Sequence, residues 1–62
     1  MTPKQLRERR EALGLSHRAF ARAVGMTGKH ANRHVRAWEK GAEDIPDWLG
    51  LELDRVEAQS QT

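Results

Sequence analysis

The chain reads as a single all-α domain, on three observations. Helix-opening residues recur at Thr2-Pro3, Ser16 and Pro46, and Gly14, Gly25 and Gly41 stand where helices would stop. Apolar residues repeat at i, i+4 and i+7 in Ala31, Val35 and Trp38, and again in Leu49, Leu53 and Val56. Sixty-two residues leave room for one core only.

The first helix is expected to open at Thr2, whose hydroxyl caps it, with Pro3 where a missing N–H costs nothing and Gln5 completing a capping box. Leu6 and Leu13, with Ala12 beside them, would form a narrow buried face; Arg7, Glu8, Arg10 and Glu11 would keep the rest in water. Gly14 ends it. Leu15 then enters the core, and Ser16 caps a second helix running to about Val24. Phe20, Ala21, Val24 and Met26 supply its buried side, Ala21 being small enough for a neighbouring helix to come close. Gly25 permits the left-handed backbone of a sharp turn.

Beyond that turn, Lys29, Arg33, Arg36 and Lys40 lie at i, i+4, i+7 and i+11. At about 100° per residue the last is turned only ~20° from the first, so one unbroken helix would carry them as a basic stripe. Ala31, Val35 and Trp38 form the opposite, apolar stripe. Residues 27–31 admit two readings. Either the helix gains an N-terminal turn from near Thr27-Gly28, as the phase of Lys29 favours, or the segment is a longer loop, as Gly28 favours. In the second case Asn32 would be a good cap. Gly41 closes the helix, Ala42-Glu43-Asp44 form a short acidic linker, and Ile45 packs inward. Pro46 and Asp47 open a last helix reaching about Ala58. Leu49, Leu53 and Val56 should cover the core, while Trp48 and Leu51 occupy a neighbouring sector that either broadens the core contact or meets a second subunit, the segment just before the helix being the other candidate interface. Residues 1–58 form the domain; 59–62 are expected to fray.

Net charge is only +2, but its distribution is uneven. Residues 1–40 hold ten Lys/Arg against three acids, a net of +7, whereas 41–62 hold one against six, a net of −5. A basic body and an acidic end suggest one side facing a polyanion and one kept away from it. Cysteine is absent, so disulfides and thiolate metal sites are excluded, and self-association is the common remaining support for so small a domain. No apolar run approaches a membrane span, and Met1 leads into a polar helix rather than a signal peptide, so a soluble, cytoplasmic protein is expected. His30 and His34 stand at i and i+4 without further ligands to complete a metal site. No nucleophile–base pair or phosphate loop argues for catalysis, and no cofactor is implied.

Leu15-Ser16, Phe20-Ala21, Val24-Gly25-Met26, Val35, Trp38-Glu39, Gly41 and Ile45-Pro46 together resemble the helix-turn-helix family of Cro, the lambdoid phage repressors and the Xre-type regulators. The likeness covers roughly residues 2–56. It implies a lambda-repressor-like domain of four or five helices, a homodimer that binds palindromic operator DNA and represses transcription. It also implies that Asn32, Arg33 and Arg36 read base edges, Asn pairing with adenine and Arg with guanine. Ser16 and His17 would meet the DNA backbone, His17 standing where the family commonly has Gln. Lys29 and His30 would lie at the helix entrance, and Lys40 would contact phosphate or complement the helix C-terminus. The distance from Gly25 to Trp38 is about four residues longer than the family's usual spacing. A chain so small looks like an autoregulator, as with phage Cro, antitoxins and the repressors that accompany anti-CRISPR genes. A second expectation of another class is an adaptor, such as an antitoxin neutralising an operon-encoded toxin through its apolar, acidic segment 45–57.

Overall fold

The protein is described here from a computed structural model, in which residues 1–60 are placed, Ser60 by its backbone alone. Four α-helices and no strands occur among the described residues: α1 (Pro3–Ala12), α2 (His17–Ala23), α3 (Ala31–Lys40) and α4 (Asp47–Ser60). None is long and apolar enough to cross a membrane.

Local chemistry sets the helix ends. The Thr2 hydroxyl accepts from the Gln5 N–H at 3.1 Å, and the Thr2 N–H donates to Gln5 Oε1 at 2.9 Å, a complete capping box. Ser16 Oγ accepts from the Ala19 N–H at 3.1 Å and opens α2. Gly41 ends α3 at φ 78°, a left-handed conformation in which its N–H reaches the Trp38 carbonyl at 3.2 Å. Pro46 stands just before α4, its carbonyl accepting from the Leu49 N–H at 3.1 Å. The last helix continues through Gln59 and Ser60, two residues past its expected end. Gln61 and Thr62, on which the expected fraying also falls, lie outside the described residues.

Leu6, Phe20, Ala21, Val24, Val35, Trp38, Leu49 and Leu53 form the core, with Leu13, Leu15, Met26, Ala31, Ile45 and Val56 packed against it. Every one of these is an apolar position at helical spacing or at a helix junction, the pattern that removes most non-polar area from water per residue. The third helix packs chiefly against α2 and next against α1.

Two features of α1 differ from the sequence expectation. Ala12 is exposed, and Arg10, expected in water, is buried at 9% exposure. Arg10 is the i+4 member of the stripe Leu6, Arg10, Leu13, so its side chain points inward, between α1 and α3. There Arg10 Nε donates to Glu39 Oε2 at 2.7 Å, Nη2 donates to Glu39 Oε1 at 3.3 Å, and Nη1 donates to the Leu15 carbonyl at 2.8 Å. All three donor atoms are satisfied, which is what makes burial of a guanidinium tolerable.

Arg9, one residue earlier, turns toward α4. Its Nε donates to Glu57 Oε2 at 2.9 Å and its Nη2 donates to Glu57 Oε1 and Asp54 Oδ1, each at 2.6 Å. The hydrogen bond from Arg9 holds the Glu57 carboxyl below its ordinary value and, reciprocally, raises the Arg9 guanidinium above its own. The acidic end of the chain is thereby folded back onto part of the basic half.

Candidate nucleic-acid interface

The third helix has two chemically distinct faces. Val35 (0% exposed) and Trp38 (5%) point into the core, whereas Arg33, Arg36 and Lys40 are exposed. Asn32 sits on the flank toward α2 and is half-buried. The amphipathic reading of residues 31–40 places these side chains where the structure has them, because a ten-residue helix of fixed pitch leaves a single phase that hides both valine and indole.

The turn before α3 is a loop and not a further helical turn. Residues 24–30 carry no helix, and Gly28 adopts φ +102°, which interrupts helical geometry. The Ala31 N–H reaches back to the Gly28 carbonyl at 3.3 Å, a tight turn entering the helix. Lys29 is therefore off the stripe that its sequence phase suggested; the exposed helical cations begin at Arg33. Asn32 does not cap α3. That position belongs to His30, whose side chain makes no capping hydrogen bond, so α3 opens without a side-chain cap.

The loop and the two helices enclose a cleft of about 600 Å³. Arg18 and Arg22 of α2, Lys29 of the turn and Asn32 of α3 line it, with Ala21 and Met26 beneath. Arg18 and Arg22 are functional candidates that the sequence reading passed over. Their signal is plain afterwards: they stand at i and i+4 on the face of α2 opposite Phe20 and Val24.

Charge pairing sorts the cations by location. Arg7 lies 3.7 Å from Glu11, and Arg9, Arg10 and Arg55 also have carboxylate partners. Among the described residues, Arg18, Arg22, Lys29, Arg33, Arg36 and Lys40 have no such partner, nor does Lys4 on α1. Unneutralised charge is thus concentrated on α2, the turn and the outer face of α3. A surface of this kind raises the local concentration of a polyanion and supplies donors for phosphate and base-edge acceptors.

Ser16, exposed at the start of α2, spends one lone pair on its helix cap. His17 is turned toward the protein: its Nε2 is 3.2 Å from Glu39 Oε1, and its side chain is 30% exposed. That nitrogen faces the Arg10–Glu39 pair instead of standing free for a phosphate. Glu39, 7% exposed, thereby joins α1, α2 and α3 through Arg10, His17 and its own helix. His30 is exposed in the turn. His34 Nδ1 lies 3.2 Å from both Glu43 carboxylate oxygens, and its ring tilts 33° against Trp38 at 6.2 Å between centroids. No group of three or more His, Asp or Glu among the described residues is arranged to hold a metal ion.

On α4, Trp48 is 45% exposed and Leu51 72%, one turn apart on the same side. Trp48 sets an edge against Trp38 with centroids 6.1 Å apart and planes at 80°, so one part of the indole is packed and another is open. No protein-family model, curated protein or solved structure matches this chain.

Proposed function

We propose that this chain is a sequence-specific DNA-binding transcriptional repressor of lambda-repressor-like helix-turn-helix type, of the Xre and Cro kind. In this reading it controls its own operon by binding a palindromic operator as a homodimer. One observation carries the reading: the helix that hides Val35 and Trp38 presents Arg33 and Arg36 to solvent without an acidic partner. With α3 in the major groove, Arg33 is the leading candidate for bidentate contact with guanine, Arg36 follows it, and Asn32 reads adenine from the flank. Lys40, Lys29 and the start of α2 at Ser16 border the phosphates. Trp48 and Leu51 are the apolar pair through which two copies meet.

The same exposed pair supports a second reading, an adaptor that binds an operon-encoded protein such as a toxin. Selection of bound duplexes from a random pool separates the two. A repressor enriches a palindrome whose half-sites lie about one helical turn, ~34 Å, apart. A co-purifying toxin partner with no salt-sensitive duplex binding would turn the assignment toward the adaptor, and equal affinity for all sequences would refute sequence-specific repression.

A further inference from the structure

We propose that the cleft between α2, the 26–30 turn and α3 seats a phosphate of the DNA backbone, on the strand that passes along the α2 side of the recognition helix. The inference rests on the DNA-binding reading above and adds to it a register-setting contact made by Arg18, Arg22 and Lys29.

The geometry follows from two widths. A major groove is about 12 Å across, and a helix with its side chains is about 10–12 Å across. A helix lying in the groove therefore has a sugar–phosphate wall on each flank. On one flank of α3 stands the cleft, and Asn32 belongs both to that flank and to the cleft lining. A duplex placed on Arg33 and Arg36 brings one backbone to the cleft mouth.

The lining suits that occupant. Three cations converge there from two elements, none has a carboxylate partner among the described residues, and no acid lines the cleft. Mutual repulsion among Arg18, Arg22 and Lys29 is relieved when an anion enters. Thr27 adds a neutral donor, while the partly buried Met26 offers apolar surface to a deoxyribose. The longer turn is what makes the seat: with Gly28 at φ +102° the chain swings out before α3 begins, and Lys29 lines the cleft instead of extending the helical stripe.

The test measures duplex affinity by fluorescence anisotropy across 50–200 mM salt, using the full chain and the duplex recovered by selection. The dependence of log K on log salt should be shallower by about 0.9 for one phosphate left unneutralised, hence by ~0.9 when Arg18, Arg22 and Lys29 are all replaced by Gln and by less in Arg18→Gln/Arg22→Gln or Lys29→Gln. The affinity loss should be the same factor on selected and scrambled duplexes. Replacing single phosphates by neutral methylphosphonates should weaken the parent at one position flanking each half-site, and the variant with Arg18, Arg22 and Lys29 all replaced by Gln should be insensitive there. Arg18 and Arg22 are exposed, so Arg18→Gln and Arg22→Gln as single variants repeat the test if circular dichroism shows a multiple variant misfolded. Unchanged salt slopes, a loss confined to the selected sequence, or no sensitive flanking phosphate would each overturn the cleft assignment while leaving the DNA reading in place. A parent chain that binds no duplex would overturn both.

Discussion

Glu39→Gln keeps the side chain's size and removes one charge from the junction of α1, α2 and α3. The Arg10 and Glu39 side chains retain only 11% and 7% of their exposure, so solvent screens their interaction weakly. In the variant, the Arg10 guanidinium remains where it is, with the Leu15 carbonyl and a neutral amide oxygen as acceptors in place of a carboxylate. Removing one partner of a buried ion pair costs about 3–5 kcal/mol. The amide still accepts one hydrogen bond, which favours the lower end, about 3 kcal/mol. A domain of this length holds about 3–9 kcal/mol in total, at roughly 0.05–0.15 kcal/mol per residue. The substitution therefore removes a third or more of the whole. Urea unfolding followed by far-ultraviolet circular dichroism and by Trp38 and Trp48 fluorescence reads this directly. With a slope of about 1 kcal/mol per molar, the midpoint should fall by ~3 M or the variant should be unfolded without denaturant. Arg10→Met/Glu39→Leu should recover much of the loss, because both charges lose their desolvation penalty together. Recovery stays incomplete by about 1 kcal/mol, since the Leu15 carbonyl loses its donor and Leu15 is only partly buried. A loss below about 1 kcal/mol in Glu39→Gln, the range of an exposed pair, would refute the claim that this junction holds the three helices together.

Three other outcomes are expected. Arg33→Ala should weaken operator binding by ~1–3 kcal/mol and relax preference at one base pair in a competition assay, while an equal loss on every sequence would reassign Arg33 to phosphate. Leu51→Glu should stay folded, since Leu51 is 72% exposed, yet sediment as a monomer with poor operator affinity; an unchanged mass would place the interface elsewhere. Because Arg9 lowers the Glu57 pKa in the folded state, that pair contributes stability above the unfolded carboxylate pKa of about 4.3, and loses it as pH falls through the folded value. The parent should accordingly lose stability below about pH 5 more steeply than Arg9→Gln, and parallel acid-unfolding curves would show that the pair is not formed in solution.

The sequence by itself determined the helix ends at Thr2, Ser16 and Gly41, the apolar core from Leu6 to Val56, and the exposure of Arg33 and Arg36. Caps are satisfied by atoms three residues away, and a helical period is written in neighbours one turn apart, so both are legible without knowing what packs where. Only the tertiary structure decided the form of residues 27–30, where the helical phase of Lys29 competed with the turn preference of Gly28 and local propensity left them nearly balanced. The fate of Arg10 was half visible: its place on the Leu6–Leu13 stripe pointed inward, but the carboxylate that makes burial tolerable lies 29 residues further on. The direction of His17 and the meeting of Arg18, Arg22 and Lys29 around one cleft were settled the same way. Such contacts join segments remote along the chain, and they exist only once the core has brought α1, α2 and α3 together.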